Sequence, residues 1–101
     1  MVAEAVRPKL VVLDPTVEAL PDDVHLAARP ATLEGLRVGL LDNSKNGVSR
    51  FLDHLEAVLS ERYAGLTFVR GRKPNASRPA PAEVLDRLTA ECDVVVSAVG
   101  D

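Results

Sequence analysis

Three short apolar runs, separated by two stretches of helical periodicity, set the pattern of this chain. Leu36-Arg37-Val38-Gly39-Leu40-Leu41 is nearly continuous in apolar residues, as strands covered on both faces are. Gly35 turns the chain into it, and Asp42-Asn43-Ser44-Lys45-Asn46-Gly47 carries the chain out. Val48, Phe51, Leu52, Leu55, Val58 and Leu59 then recur at helical spacing, with Arg50, Asp53, Glu56 and Arg62 between them. This predicts an amphipathic helix of about 4–5 turns, with Gly65 at the left-handed C′ position that follows a helix. Leu66-Thr67-Phe68-Val69 predicts a second strand, followed by a polar loop from Arg70 to Pro81. Pro81 suits the first turn of another helix. Val84, Leu85, Leu88 and Cys92 make its apolar side, and Glu83 with Arg87 forms an i,i+4 pair. Asp93-Val94-Val95-Val96-Ser97-Ala98-Val99 is the third strand, running into Gly100-Asp101.

Upstream the signal is weaker. Residues 1–9 show no period, and Leu10-Val11-Val12-Leu13 is an apolar run cut off by Asp14-Pro15, consistent with a short edge strand. Pro15, Pro21 and Pro30 break any long helix before residue 35. The arm up to residue 35 is long for a connection inside a compact domain, which suits a segment that covers a neighbour or partner subunit.

The order β-α-β-α-β over residues 36–101 predicts an α/β domain with a parallel sheet. Its expected form is three-layered, Rossmann-like or flavodoxin-like, and it amounts to the N-terminal portion of such a domain. A further helix is expected after Asp101, over sheet surface that a later segment or a second chain would cover. Homo- or hetero-oligomers both satisfy that need.

At 101 residues the chain is one domain at most. Only 3% of it is aromatic, so Val, Leu and Ala must build the core. A net charge of -3 offers no basic stripe to neutralise phosphates, which argues against a nucleic-acid partner. Arg70, Arg72 and Lys73 are the densest basic cluster and read as a solvated rim. No apolar run has the length of a membrane span, and Glu4 and Arg7 stand where a signal peptide would be apolar. The expected location is cytoplasmic, with no membrane partner. The single cysteine, Cys92, can form no internal disulfide and reads as a small core residue.

In open α/β sheets, ligands gather beyond the carboxyl ends of strands. Asp42-Asn43-Ser44-Lys45-Asn46 lies at such an end, before a helix. On spacing alone Asn43 or Ser44 caps that helix; compatibly with that, its N–H groups and dipole can hold a carboxylate or phosphate, with Lys45 adding a full charge. Ser77-Arg78 offers a hydroxyl and a planar guanidinium fork from the second loop. His25 and His54 have no neighbours in sequence that complete a triad or metal set. No Walker loop, dinucleotide fingerprint or nucleophile elbow is present, and no cofactor is implied by these residues.

Several of these stretches resemble the UGSC-motif family of small bacterial proteins, some of them selenoproteins. They are Arg29-Pro30-Ala31 through Gly35, Gly39-Leu40-Leu41-Asp42-Asn43-Ser44-Lys45, Lys73-Pro74 with Ala76-Ser77-Arg78-Pro79-Ala80-Pro81, and Asp93-Val94-Val95-Val96 with Val99-Gly100-Asp101. The family is named for a selenocysteine-or-cysteine, Gly, Ser, Cys tetrad directly after the Gly-Asp turn. The resemblance implies an oxidoreductase working through a thiol or selenol pair after Asp101, selenocysteine being an option in the full-length protein. A thiolate opening a helix there would have its pKa lowered by the helix N-terminus. It further implies that Asp42, Asn43, Ser44, Lys45, Asn46, Ser77, Arg78, Gly100 and Asp101 bind a small anionic substrate and position the redox pair. The tetrad itself is not in these residues, for which three accounts stand: a UGA codon read as stop, a precursor cut after Asp101, or a short paralogue that binds without catalysis. Under the second, the chain is one part of a multi-chain enzyme similar to glycine and proline reductases.

Overall fold

The computed structural model describes residues 8–19, 23 and 25–100. Its elements are β1 (Arg37–Asp42), α1 (Val48–Arg62), β2 (Thr67–Arg72), α2 (Ala82–Glu91) and β3 (Val94–Ala98). All strand pairing is parallel, in the order β2-β1-β3, so the most buried strand is central.

Alternation along β1 sends successive side chains to opposite faces. Val38 and Leu40 pack with Val48 and Leu52 of α1 and with Ala98, forming the most buried cluster. Gly39 turns the other way, toward Leu88, Cys92 and Val95. The two helices therefore cover opposite faces, α2 lying over β1 and β2. A Cβ at Gly39 would stand 2.9 Å from Cys92 Sγ, so the close approach of α2 depends on the missing side chain.

Each helix buries less than its sequence period suggests. Phe51 and Val58 of α1 are 49% exposed, and Leu85 of α2 is 46% exposed. With only a three-stranded sheet beneath, one row of each apolar stripe finds a partner. Val95 of β3 is likewise 48% exposed, on the face that α2 covers over β1 and β2.

Several expected boundaries move. The second strand runs on through Arg70-Gly71-Arg72, because these residues keep pairing with Leu40, Leu41 and Asp42 of β1. Gly65 is left-handed, with φ 73°, but lies one residue past C′, since Tyr63 is the C-cap of α1. There it meets Gly35, another left-handed glycine, whose N–H donates to Ala64 O at 2.9 Å. Arg87 pairs with Glu91 at 3.3 Å rather than with Glu83, and it also donates to Arg70 O on the open edge of β2 at 3.2 Å.

Residues 10–13 form no strand, and Leu10, Val11, Val12 and Leu13 are 72–89% exposed. Among the described residues, no strand lies beside them to take up their backbone hydrogen bonds. Among the described residues, no helix is long and apolar enough to cross a membrane.

Candidate functional site

At the amino edge of the sheet the strands are clamped together by one ion pair. Arg37 donates from its backbone N–H and its Nη2 to Asp93, at 2.8 and 3.1 Å, and Asp93 N–H returns a bond to Arg37 O. Hydrogen bonds from Arg37, with its charge behind them, hold the Asp93 carboxyl below its ordinary range.

The carboxyl edge is joined through the loop that follows β1. Asn43 N–H donates to Ala98 O at 3.0 Å, and its side-chain amide donates to Val99 O at 2.6 Å. Ser44 turns the other way: its hydroxyl donates to Lys73 O, while Lys73 N–H donates to Asp42 O at 2.9 Å. One dipeptide thus ties the exits of β3 and β2 to that of β1. Ser44 adopts φ 71°, a left-handed conformation uncommon for a residue with a side chain.

These bonds replace the expected capping role. The N-cap of α1 is Gly47, left-handed at φ 83°, and no side chain caps the helix. Asn43 and Ser44 lie too early in the loop and are engaged with the neighbouring strand ends. Among the described residues, the first turn of α1 therefore keeps backbone N–H groups without a side-chain acceptor, the arrangement that favours an anion.

Of the other anticipated residues, Asp42 is buried, Lys45 is half-buried and Asn46 is exposed. Ser77 and Arg78 are exposed in a local turn, where both backbone N–H groups bond Asn75. Among the described residues no hydrogen bond joins them to residues 42–46. Gly100 is exposed, and Asp101 lies outside the described residues.

The structure adds residues that the linear pattern assigns elsewhere. A cavity of about 220 Å³ is lined by Asp42, Ser49, Arg70, Gly71 and Arg72. Arg72 is exposed, as expected of a solvated rim, whereas Arg70 is half-buried against Asp53 and Glu56 of α1; the extension of strand β2 brings both to this cavity. The usable signal was parity, since Arg72 stands opposite Asp42 and Arg70 opposite Leu40 in the parallel register. Arg70 is held by Asp53 at 2.7 Å and Glu56 at 2.9 Å.

Cys92 caps the C-terminus of α2, half-buried, with its sulfur against Gly39. Burial, then the Glu91 charge, pushes its thiol up, away from the thiolate form that reacts. Among the described residues no group of three His, Cys, Asp or Glu side chains is placed to hold a metal ion.

The described residues form a parallel α/β unit of three strands and two helices, with its polar loop contacts at the carboxyl edge of the sheet. The UGSC family matches residues 11–101, and the chain belongs to that family. No curated protein and no solved structure matches it.

Proposed function

We propose that this chain is the substrate-binding portion of a cytoplasmic thiol- or selenol-dependent redox protein, built as the first half of a flavodoxin-like, three-layered domain. In this reading Lys45 and the uncapped start of α1 hold an anionic group of the substrate. Ser77 and Arg78 close over it from the second loop. Gly100 and Asp101 lead into the Cys or selenocysteine tetrad that the family resemblance implies.

The observation that carries the reading is Asn43. It holds Ala98 O and Val99 O from the loop that opens α1, so the chain leaving β3 runs beside the anion-favouring end of that helix. A redox pair in the residues that follow would therefore work next to bound substrate.

The coding sequence after the Asp101 codon tests the redox half. A frame, or a UGA, continued by Gly-Ser-Cys supports it, and a frame continued by unrelated residues removes it. Calorimetry with a carboxylate tests the binding half: Arg78→Ala should weaken affinity if the second loop closes on the ligand, and unchanged affinity would remove that residue from the site.

A second reading, a subunit that binds a partner chain without catalysis, is favoured by one observation, the exposed apolar run Leu10–Leu13. Its mark would be a solution mass above that of one chain, lost when Val11 and Val12 are both changed to Ser.

A further inference from the structure

The cavity beside Asp42 has a chemistry that the loop residues do not account for. Asp42 has 7% of its surface exposed, and a buried carboxylate needs hydrogen-bond donors to offset its lost hydration. Ser44 N–H supplies one at 2.7 Å. An ionised carboxylate offers about four lone-pair sites, so acceptor capacity remains on the side that lines the cavity.

The two arginines differ in what they have left to give. Arg70 is neutralised by Asp53 and Glu56, and the hydrogen bond with Glu56 does most to keep it charged. Arg72 is paired with no carboxylate among the described residues. Its Nε donates to Ser44 Oγ at 3.3 Å, which orients the guanidinium and leaves its two terminal nitrogens as an end-on fork for a carboxylate. Ser49 adds a hydroxyl from the first turn of α1, where the helix dipole also favours negative charge.

We infer that this cavity binds a small organic acid carrying a hydroxyl or amino group beside its carboxylate, with Arg72 gripping the carboxylate and Asp42 accepting from the neighbouring donor. The inference rests on the reading of the carboxyl edge as a substrate site and names the class of substrate. Size agrees: about 220 Å³ is below the roughly 300–1,000 Å³ typical of sites for drug-sized ligands. Charge supplies the selectivity. A plain anion beside Arg72 also faces the Asp42 carboxylate, whereas an anion with an adjacent donor turns that repulsion into a hydrogen bond.

The test is an amide NMR titration of the 101-residue chain with lactate, alanine and propionate. Lactate or alanine should shift the amides of Asp42, Ser49, Gly71 and Arg72 saturably. Propionate, lacking the donor, should bind at least about tenfold more weakly. Arg72→Gln should remove the saturable shifts while leaving the rest of the spectrum in place, and Asp42→Asn should narrow the gap between lactate and propionate. Propionate binding as tightly as both other probes would overturn the inference, as would the absence of saturable shifts at those four amides. Lactate shifts confined to Lys45, Ser77 and Arg78, and indifferent to Arg72→Gln, would also sink the cavity while leaving the broader substrate-site reading intact.

Discussion

Asn43 and Ser44 work through bonds that their types advertise but their positions conceal. Both residue types are expected at helix starts, and the sequence supports that role. The structure gives it to Gly47, because the loop needs a left-handed residue to enter α1. Asn43→Ala should leave Val99 O without its side-chain donor and cost about 1 kcal/mol in urea unfolding, with peptide segments after Ala98 losing hydrogen-exchange protection first. A residue-level pH effect belongs to Asp93. Its carboxyl is held below the ordinary value of 3.8 by Arg37, so the unfolded state binds the proton more readily. The contribution is full above that ordinary value and is lost as pH falls through the lower, folded one. Asp93→Asn should therefore flatten the acid limb of a stability–pH curve below about pH 4 and leave the slope at neutral pH unchanged.

Among the elements, β1, α1, α2 and β3 were legible because each carries a clear period and a bounded apolar run. The end of β2 was not, because Arg70-Gly71-Arg72 looks like a loop when read alone. Pairing with β1 overrides that local preference, and this single extension brings two arginines to the cavity, Arg72 keeping the exposure expected of a rim. The arm fails in the opposite sense. Leu10–Leu13 has strand-like residues, but a strand exists only with a partner, and a single sequence does not show one. Packing between elements gives a sharper test at Gly39. A methyl there would press on Cys92 Sγ at 2.9 Å, Val95 at 3.1 Å and Leu88 at 3.2 Å, so Gly39→Ala should cost about 1–3 kcal/mol by thermal or urea unfolding. Adding Cys92→Ala should recover part of that loss, because it removes the nearest of the three contacts. Leu52→Ala, at the centre of the opposite face and fully buried, should cost about 2–5 kcal/mol.

As a whole, the molecule is asymmetric: its strand starts are clamped by Arg37 and Asp93, while its strand ends are gathered by Asn43 and Ser44 around polar groups. That division between a structural edge and a chemical edge is what parallel α/β sheets provide, since loops after the strands converge with helix starts. The family resemblance supplied the redox expectation, and residues 11–101 match that family. The proposed binding chemistry, by contrast, rests on the strand ends themselves. The central claim is that the carboxyl edge holds an organic acid beside the start of α1. Isothermal titration calorimetry of lactate into the native chain and into Arg72→Gln tests it most directly. The account predicts saturable binding to the native chain, weakened about tenfold, or roughly 1.4 kcal/mol, in the variant. Equal affinity for both proteins, or no heat of binding to either, would contradict it.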